Sequence, residues 1–259
     1  MQTFGKEKFI TVMSSIALAG LLVLPIPGVA KPVTADQMSK RLSDSARSEA
    51  DNQRDADRKP AEVIEFIGIE PGMTIMDVMA ASGWYTEVLS LAVGDAGKVY
   101  AQNPTFILEF RDGANDKALA ARLAGDRLAN VERVDTTIEE SGIPAGTVDV
   151  MFTALSFHDT YYMGGEESAA RLLAEMGRLL KPDGRLVIID HNGRPDLDNA
   201  KLHRIPRDIV LNMAMGAGYI LEAEADMLAH PDDDGTQMVF MKPIRGKTDR
   251  FVLKFRKND

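Results

Sequence analysis

The sequence predicts an α/β fold: a doubly wound, mostly parallel sheet of seven strands with a C-terminal antiparallel strand. Three observations predict it. Five short β-rich segments alternate with segments of helical apolar spacing between Pro60 and Asp190. Two further β-rich segments close the chain, and a loop of small residues follows the first strand and opens a helix.

The elements follow in order. Pro60 suits a first helical turn, and Val63, Ile64, Phe66 and Ile67 give it an apolar face that ends near Gly68. After the turn at Pro71-Gly72, Thr74–Val78 is the first strand, and Tyr85–Val93 returns to helical spacing before Gly94 and Gly97 break it. Lys98–Gln102 is the second strand, Ala114–Arg127 a helix, Val131–Val134 the third strand and Val148–Thr153 the fourth. Glu166–Leu180 is an amphipathic helix stopped by Pro182 and Gly184, and Arg185–Asp190 is the fifth strand. Pro206–Ala217 is a last helix. Tyr219–Ala225 and Phe251–Phe255 read as a hairpin with the polar insertion Pro231–Asp249 between its arms.

Ahead of this domain, which spans residues 60–259, residues 31–59 are polar and charge-mixed and read as a linker or a loosely packed helix. Residues 1–30 read as a signal peptide: Lys6 and Lys8 are its basic start, Ile10–Ile26 its apolar stretch, and Gly28 with Ala30 a cleavage motif before Lys31. Val33 with Ala35 offers a second site, before Asp36. The expectation is an exported protein, periplasmic or secreted, with no stable membrane insertion after cleavage.

The 259 residues carry a formal net charge of -9, and removal of residues 1–30 takes away two lysines and one glutamate, leaving -10. Such a surface repels phosphate backbones, so nucleic acid is not an expected partner. The absence of cysteine excludes disulfides, thiolate metal ligands and a cysteine nucleophile.

Ligands of open α/β sheets sit beyond the carboxyl ends of the strands, so the residues after each strand are the candidates. Asp77-Val78-Met79-Ala80-Ala81-Ser82-Gly83 follows the first strand, Gln102 and Asn103 the second, Asp135 and Thr136 the third, and Phe157-His158-Asp159-Thr160-Tyr161 the fourth. Met176 to Leu186, reading MGRLLKPDGRL, leads into the fifth strand, and Ala217-Gly218-Tyr219 precedes the sixth. From about Ala61 to Phe255 this series resembles the class I S-adenosylmethionine-dependent methyltransferases. Asp77 and Gly83 match the ends of that family's (D/E)xGxGxG loop, with Met79 and Ala81 in place of its first two glycines. The MGRLLKPDGRL stretch resembles the family's approach to its fifth strand.

The resemblance implies a Rossmann-like methyltransferase fold, S-adenosylmethionine as cofactor and a small or medium methyl acceptor. It implies cofactor-binding roles for Asp77, Ala81, Gly83, Tyr85, Gln102, Asn103, Asp135 and Thr136. One methyl fits at Ala81 if φ there is negative. Gln102 or Asn103 would accept a ribose hydroxyl where the family has an acid. His158, with Asp159 and Tyr161 beside it, stands where the family places groups that contact the acceptor, and an imidazole there can act as a general base near neutral pH. Two other readings are a non-catalytic binding protein on this fold and a metal-dependent hydrolase. His158, Asp190, His191 and His203 could converge at the sheet edge, but no HxxxH or HxH spacing supports a metal, and none is expected. The run Asp232–Asp234 reads as a solvated loop.

Overall fold

The computed structural model describes residues 1–2 and 30–258. The signal segment lies outside the described residues across positions 3–29. The chain forms one seven-stranded sheet in the order β3-β2-β1-β4-β5-β7-β6. The strands are β1 (Thr74–Val78), β2 (Lys98–Gln102), β3 (Val131–Val134), β4 (Val148–Ala154), β5 (Leu180–His191), β6 (Tyr219–Ala225) and β7 (Arg250–Lys257). Only β7 runs against its neighbours β5 and β6; every other pairing is parallel. The order reverses between β1 and β4, which is the switch point where such sheets open a ligand crevice.

Strand side chains divide the core by their period of two. Ile75, Val150, Phe152, Val187 and Ile189 point to one face, while Met76, Met151, Leu186 and Ile188 point to the other. The first face is covered by α4 (Pro60–Ile67) and α5 (Trp84–Val93), the second by α7 (Phe157–Leu179) and α9 (Arg207–Gly216). Between them in sequence, α6 (Thr105–Leu123) turns sharply at Phe110–Gly113, and α8 (Asn199–Leu202) is one short turn. The predicted helix at Ala114 is therefore the second half of a kinked one.

The segment 31–59 is where the structure departs from the sequence reading. Of its two readings the helical one holds, but the packing is not loose: it folds as α1 (Ala35–Asp44), α2 (Glu49–Gln53) and α3 (Asp55–Arg58) on the outer side of α5. Thr34 caps α1 in a reciprocal box with Gln37. Val33, Met38 and Leu42 are buried in the same core as Ile64 and Leu89. The cause lies in α5, nine of whose ten residues are buried: its apolar side chains spread over more than half its circumference beside one polar stripe of Thr86, Glu87 and Ser90, so the sheet alone cannot cover it. Arg41 finishes the packing by donating to the Leu91 and Ala92 carbonyls, 2.9 and 2.7 Å away, at the C-terminal end of α5. Within the acidic run Asp232 and Asp234 are exposed as read, but the Asp233 side chain is 3% exposed, pairs with Arg204 at 2.8 Å and anchors the insertion before β7.

A chain beginning at Pro60 is expected to lose on the order of 5 kcal/mol relative to one beginning at Lys31, from the burial of Val33, Met38 and Leu42 and the uncovering of Trp84. Urea unfolding of the two chains checks this; equal midpoints would mean that the segment is a passenger.

Candidate active site

Asp77, Gln102, Thr153 and Asp190 end adjacent parallel strands, so their side chains gather along one edge of the sheet. Asp77 is 3% exposed and accepts from the Thr86 hydroxyl at 2.6 Å, which ties the end of β1 to the first turn of α5. Burial pushes the Asp77 carboxyl up to about 7, against the opposing pull of the Thr86 hydrogen bond and the nearby Arg58 charge.

The loop between β1 and α5 keeps the backbone of a glycine loop with only the last of its three glycines, Gly83. Met79, Ala81 and Gly83 have φ of +55°, +50° and +77°. The negative φ expected at Ala81 is not found; its side chain is held in the left-handed region, at a cost of about 1–2 kcal/mol, as is that of Met79. At Gly83 the left-handed φ favours glycine, and a Cβ there would also press on Leu119 Cδ1 of α6 at 2.7 Å. Gln102 and Asn103 hold this backbone. The Met79 amide donates to Gln102 Oε1 at 3.2 Å, and Gln102 Nε2 donates onward to the Thr136 carbonyl at 2.6 Å. The Ala81 peptide is gripped at both ends by Asn103, whose Oδ1 accepts at 2.7 Å and whose Nδ2 donates at 3.3 Å.

The other cofactor-side candidates are less close-knit. Tyr85 is buried, edge-on to both Trp84 and Phe152 at 4.7 and 4.8 Å between ring centres. Asp135 is exposed and pairs with Arg133 at 2.8 Å, and the Thr136 hydroxyl donates to Glu140. Sequence reasoning missed Arg58, which reaches in from α3 over the Trp84 and Tyr85 rings, 4.7 and 5.5 Å from their centres. Its signal was a basic residue in a segment taken for a linker. Arg122 of α6 was missed too. It donates to the Ser82 carbonyl at 3.0 Å, pairs with Asp51 of α2 at 2.9 Å and pairs with the fully buried Glu87 of α5, which Arg127 also meets.

Across the switch point, β4 turns into α7 through Leu155, at φ +61°. This turn aims His158 at β5. The Asp190 carboxylate takes the His158 backbone amide at 2.9 Å and its Nδ1 at 2.8 Å, while also accepting from the His191 amide at 2.7 Å. Asp159 Oδ1 lies 3.3 Å from His158 Nε2 and 3.3 Å from His203 Nδ1. Burial lowers the basicity of His158, but Asp190 and Asp159 outweigh it and raise its pKa to about 10. At neutral pH this ring is an imidazolium, a donor and not the general base its position suggests. Asp159 is held below the ordinary carboxylate range by His158 and His203 despite its partial burial. His191 is kept neutral, first by burial and then by the His158 and arginine charges, and its Nδ1 meets the Thr248 hydroxyl at 2.8 Å. Tyr161 does not join the cluster: its hydroxyl donates to Glu166 at 3.1 Å. Cavities of about 820 Å³ beside Asn130 and about 400 Å³ beside Ile209 include none of these groups.

Comparison with known proteins agrees with this geometry. Residues 77–188, from the end of β1 into β5, match the family described as Methyltransferase domain. The ubiquinone/menaquinone biosynthesis C-methyltransferase UbiE of Ectopseudomonas mendocina is 26% identical over 181 residues, covering 66% of this chain and 64% of the relative. The UbiE of Vibrio parahaemolyticus is 26% identical over 182 residues, covering 66% and 63%. The alignment thus spans a little under two thirds of these relatives. A SAM-dependent methyltransferase from Aquifex aeolicus shares the fold at a TM-score of 0.59 and 23% identity, over 84% of this chain and 97% of that one. The [4+2]-cyclase SpnF also shares it, at 0.59 and 17%, over 83% and 85%. Sheet order and switch-point loop define a class I methyltransferase fold. The chain has that fold and is similar over residues 77–188 to the methyltransferase domain, without more than 26% identity to the relatives above.

Because Asp77 keeps its proton up to about pH 7 when folded and loses it near 3.8 when unfolded, the stability it contributes is full below about pH 4 and is lost as pH rises to 7. Asp77→Asn is therefore expected to be more stable than the parent at pH 8, by roughly 2–4 kcal/mol, with the gap closing toward pH 4. Urea midpoints across that range measure the gap; a gap independent of pH would show that Asp77 titrates normally.

Proposed function

We propose that the chain moves a methyl group from S-adenosylmethionine to a small or medium acceptor. The observation that carries this is the loop from Asp77 to Gly83, which holds three left-handed positions in the register of a glycine loop although two of them bear side chains. No packing demand explains that strain at Met79 and Ala81, whereas a cofactor lying against the loop does. The surroundings fit such a ligand. The first turn of α5 has no side-chain cap, leaving amide donors for a polar group, and Arg58 places a positive charge beside Asp77 for a carboxylate. Gln102 and Asn103 shape the cradle from beneath, and Asp77, Ala81, Gly83 and Tyr85 form its wall, with Asp135 and Thr136 at its rim.

Bound there, S-adenosylmethionine supplies an electrophilic methyl on a sulfonium. The protein's share is orientation. The His158 imidazolium, steadied by Asp190, presents Nε2 toward the acceptor side and favours an acceptor atom that carries or develops negative charge. Asp159 and His203 border the same space.

Calorimetric titration of the chain from Lys31 onward with S-adenosylmethionine and S-adenosylhomocysteine tests this reading. Micromolar affinity is expected for both, and Asn103→Ala, which releases the Ala81 peptide, is expected to weaken it about tenfold, the equivalent of one to two hydrogen bonds. A folded parent chain that gives no heat at millimolar ligand would leave the fold serving some other purpose.

We further infer export to the periplasm or beyond, from the basic and apolar residues at 6–26. Val33 donates its amide to the Ile69 carbonyl at 2.8 Å, and Thr34 caps α1. Cleavage before Asp36 would remove both, whereas cleavage before Lys31 leaves the fold entire. The mature protein in the extracytoplasmic fraction is expected to begin at Lys31 by intact mass; a full-length cytoplasmic product, or one beginning at Asp36, would contradict this.

Among the described residues no helix is long and apolar enough to cross a membrane.

A further inference from the structure

We propose that His158, Asp159 and His203 form a binding site for one divalent transition-metal ion, with zinc the best match to the ligands. The three ligand atoms lie within 4.8 Å of one another. The two measured spacings, 3.3 Å from His158 Nε2 to Asp159 Oδ1 and 3.3 Å from His203 Nδ1 to the same oxygen, match those of two ligands about 2.0–2.1 Å from one ion at a tetrahedral angle.

Three features separate this from an ordinary polar cluster. His158 is 3% exposed, and its Nε2 is completely buried without a hydrogen-bond partner, because the Asp159 contact lacks hydrogen-bond geometry. Leaving such an atom unpaired costs free energy that an ion would recover. Asp190 grips Nδ1 of the same ring at 2.8 Å and is itself fixed by two backbone amides, so the ring's orientation is set from behind. A carboxylate behind a histidine in this way is the arrangement that orients imidazole ligands toward zinc. Finally, His203 stands in the left-handed region at φ +54°, at the end of α8, with its ring edge-on to His158 at 5.6 Å. That helix-ending conformation carries the imidazole over Asp159, the carboxylate it shares with His158.

Two imidazoles and one carboxylate favour zinc or iron(II) over magnesium or calcium, which take oxygen. Three protein ligands leave a position open. That position borders the cofactor loop, because Thr160, next to Asp159, contacts Met79 Sδ at 3.6 Å. Resting on the methyl-transfer reading, the ion would select an acceptor that offers an oxygen donor, and its charge would take the place of the imidazolium's.

The test uses metal-stripped chain from Lys31 onward, titrated with zinc against a chromophoric chelator and with cobalt(II) by visible absorption. One ion per chain is expected at submicromolar affinity, with the cobalt bands of a four- or five-coordinate site. His203→Ala changes a half-exposed side chain, so a native circular-dichroism spectrum is expected with zinc affinity lower by at least about 100-fold, and Asp159→Asn should cost about tenfold or more. Absence of stoichiometric binding at about 100 μM zinc, or an affinity unchanged in His203→Ala, would overturn the proposal. Titration of S-adenosylmethionine into the same chain in chelator reports the methyltransferase reading separately.

Discussion

The site depends on one backbone constraint: the turn from β1 into α5 must pass through left-handed conformations at residues 79, 81 and 83. Two of these bear side chains, and their strain, about 2–4 kcal/mol together, is comparable to what the clamping hydrogen bonds return at about 1 kcal/mol each. Gln102 and Asn103 supply three such bonds to the loop and a fourth that ties β2 to Thr136. Their amides suit this task because each offers both a donor and an acceptor. A carboxylate at position 103 would set an acceptor against the Ala81 carbonyl and could not close the same clamp. The residues where the family carries a ribose-binding acid have thus become the support of the loop.

The N-terminal helices answer a second demand of the same turn. A helix that starts at Trp84 and is buried at nine of its ten residues needs cover on both sides, and α1 to α3 provide the outer one. Trp84 is the joint: its Nε1 donates to the Asp51 carbonyl at 3.2 Å, and Arg47, Arg54 and Arg58 ring it at 4.7–5.4 Å. Arg122 then draws Ser82, Glu87 and Asp51 together, so the cofactor loop, the helix after it and the N-terminal cover share one guanidinium. Removing any partner would leave a buried charge on the others, and this makes the cover part of the site.

The succession of strands and helices, the hairpin and the position of each strand end were legible in the sequence because they rest on period and on turn residues, which are local. Asp77 and His158 stood out for the same reason. What escaped depended on distance along the chain. The polar composition of residues 31–59 suggested a linker because its core anchors, Val33, Met38 and Leu42, are sparse. The better signal lay some forty residues away, in the apolar side chains of α5, which spread over more of its circumference than a sheet can cover. Asn103 was read toward a ligand because a side chain at a strand end can face outward or back onto the neighbouring loop, and only the twist of β1 against β2 decides. The convergence of His203 with His158, Asp190 and His191 was open to the sequence from their places after the strands, whereas its geometry was not, since it depends on the left-handed conformation of His203 after α8.

His158 shows how position and chemistry separate. Its place after β4 is that of a base, yet a carboxylate on either side of a buried ring stabilises the charged form by more than burial opposes it. The sheet builds this arrangement from two strands: β4 delivers the ring through the strained turn at Leu155, and β5 delivers Asp190 in register beside it. Asp190 also faces the backbone amide at the start of α7, so the helix terminus and the imidazole share one counter-charge. A group so fixed gains little by giving up its proton to solvent and much by keeping a positive charge at Nε2. Proton or metal ion, the charge at that buried atom faces the Asp159 carboxylate, which His203 meets from the other side.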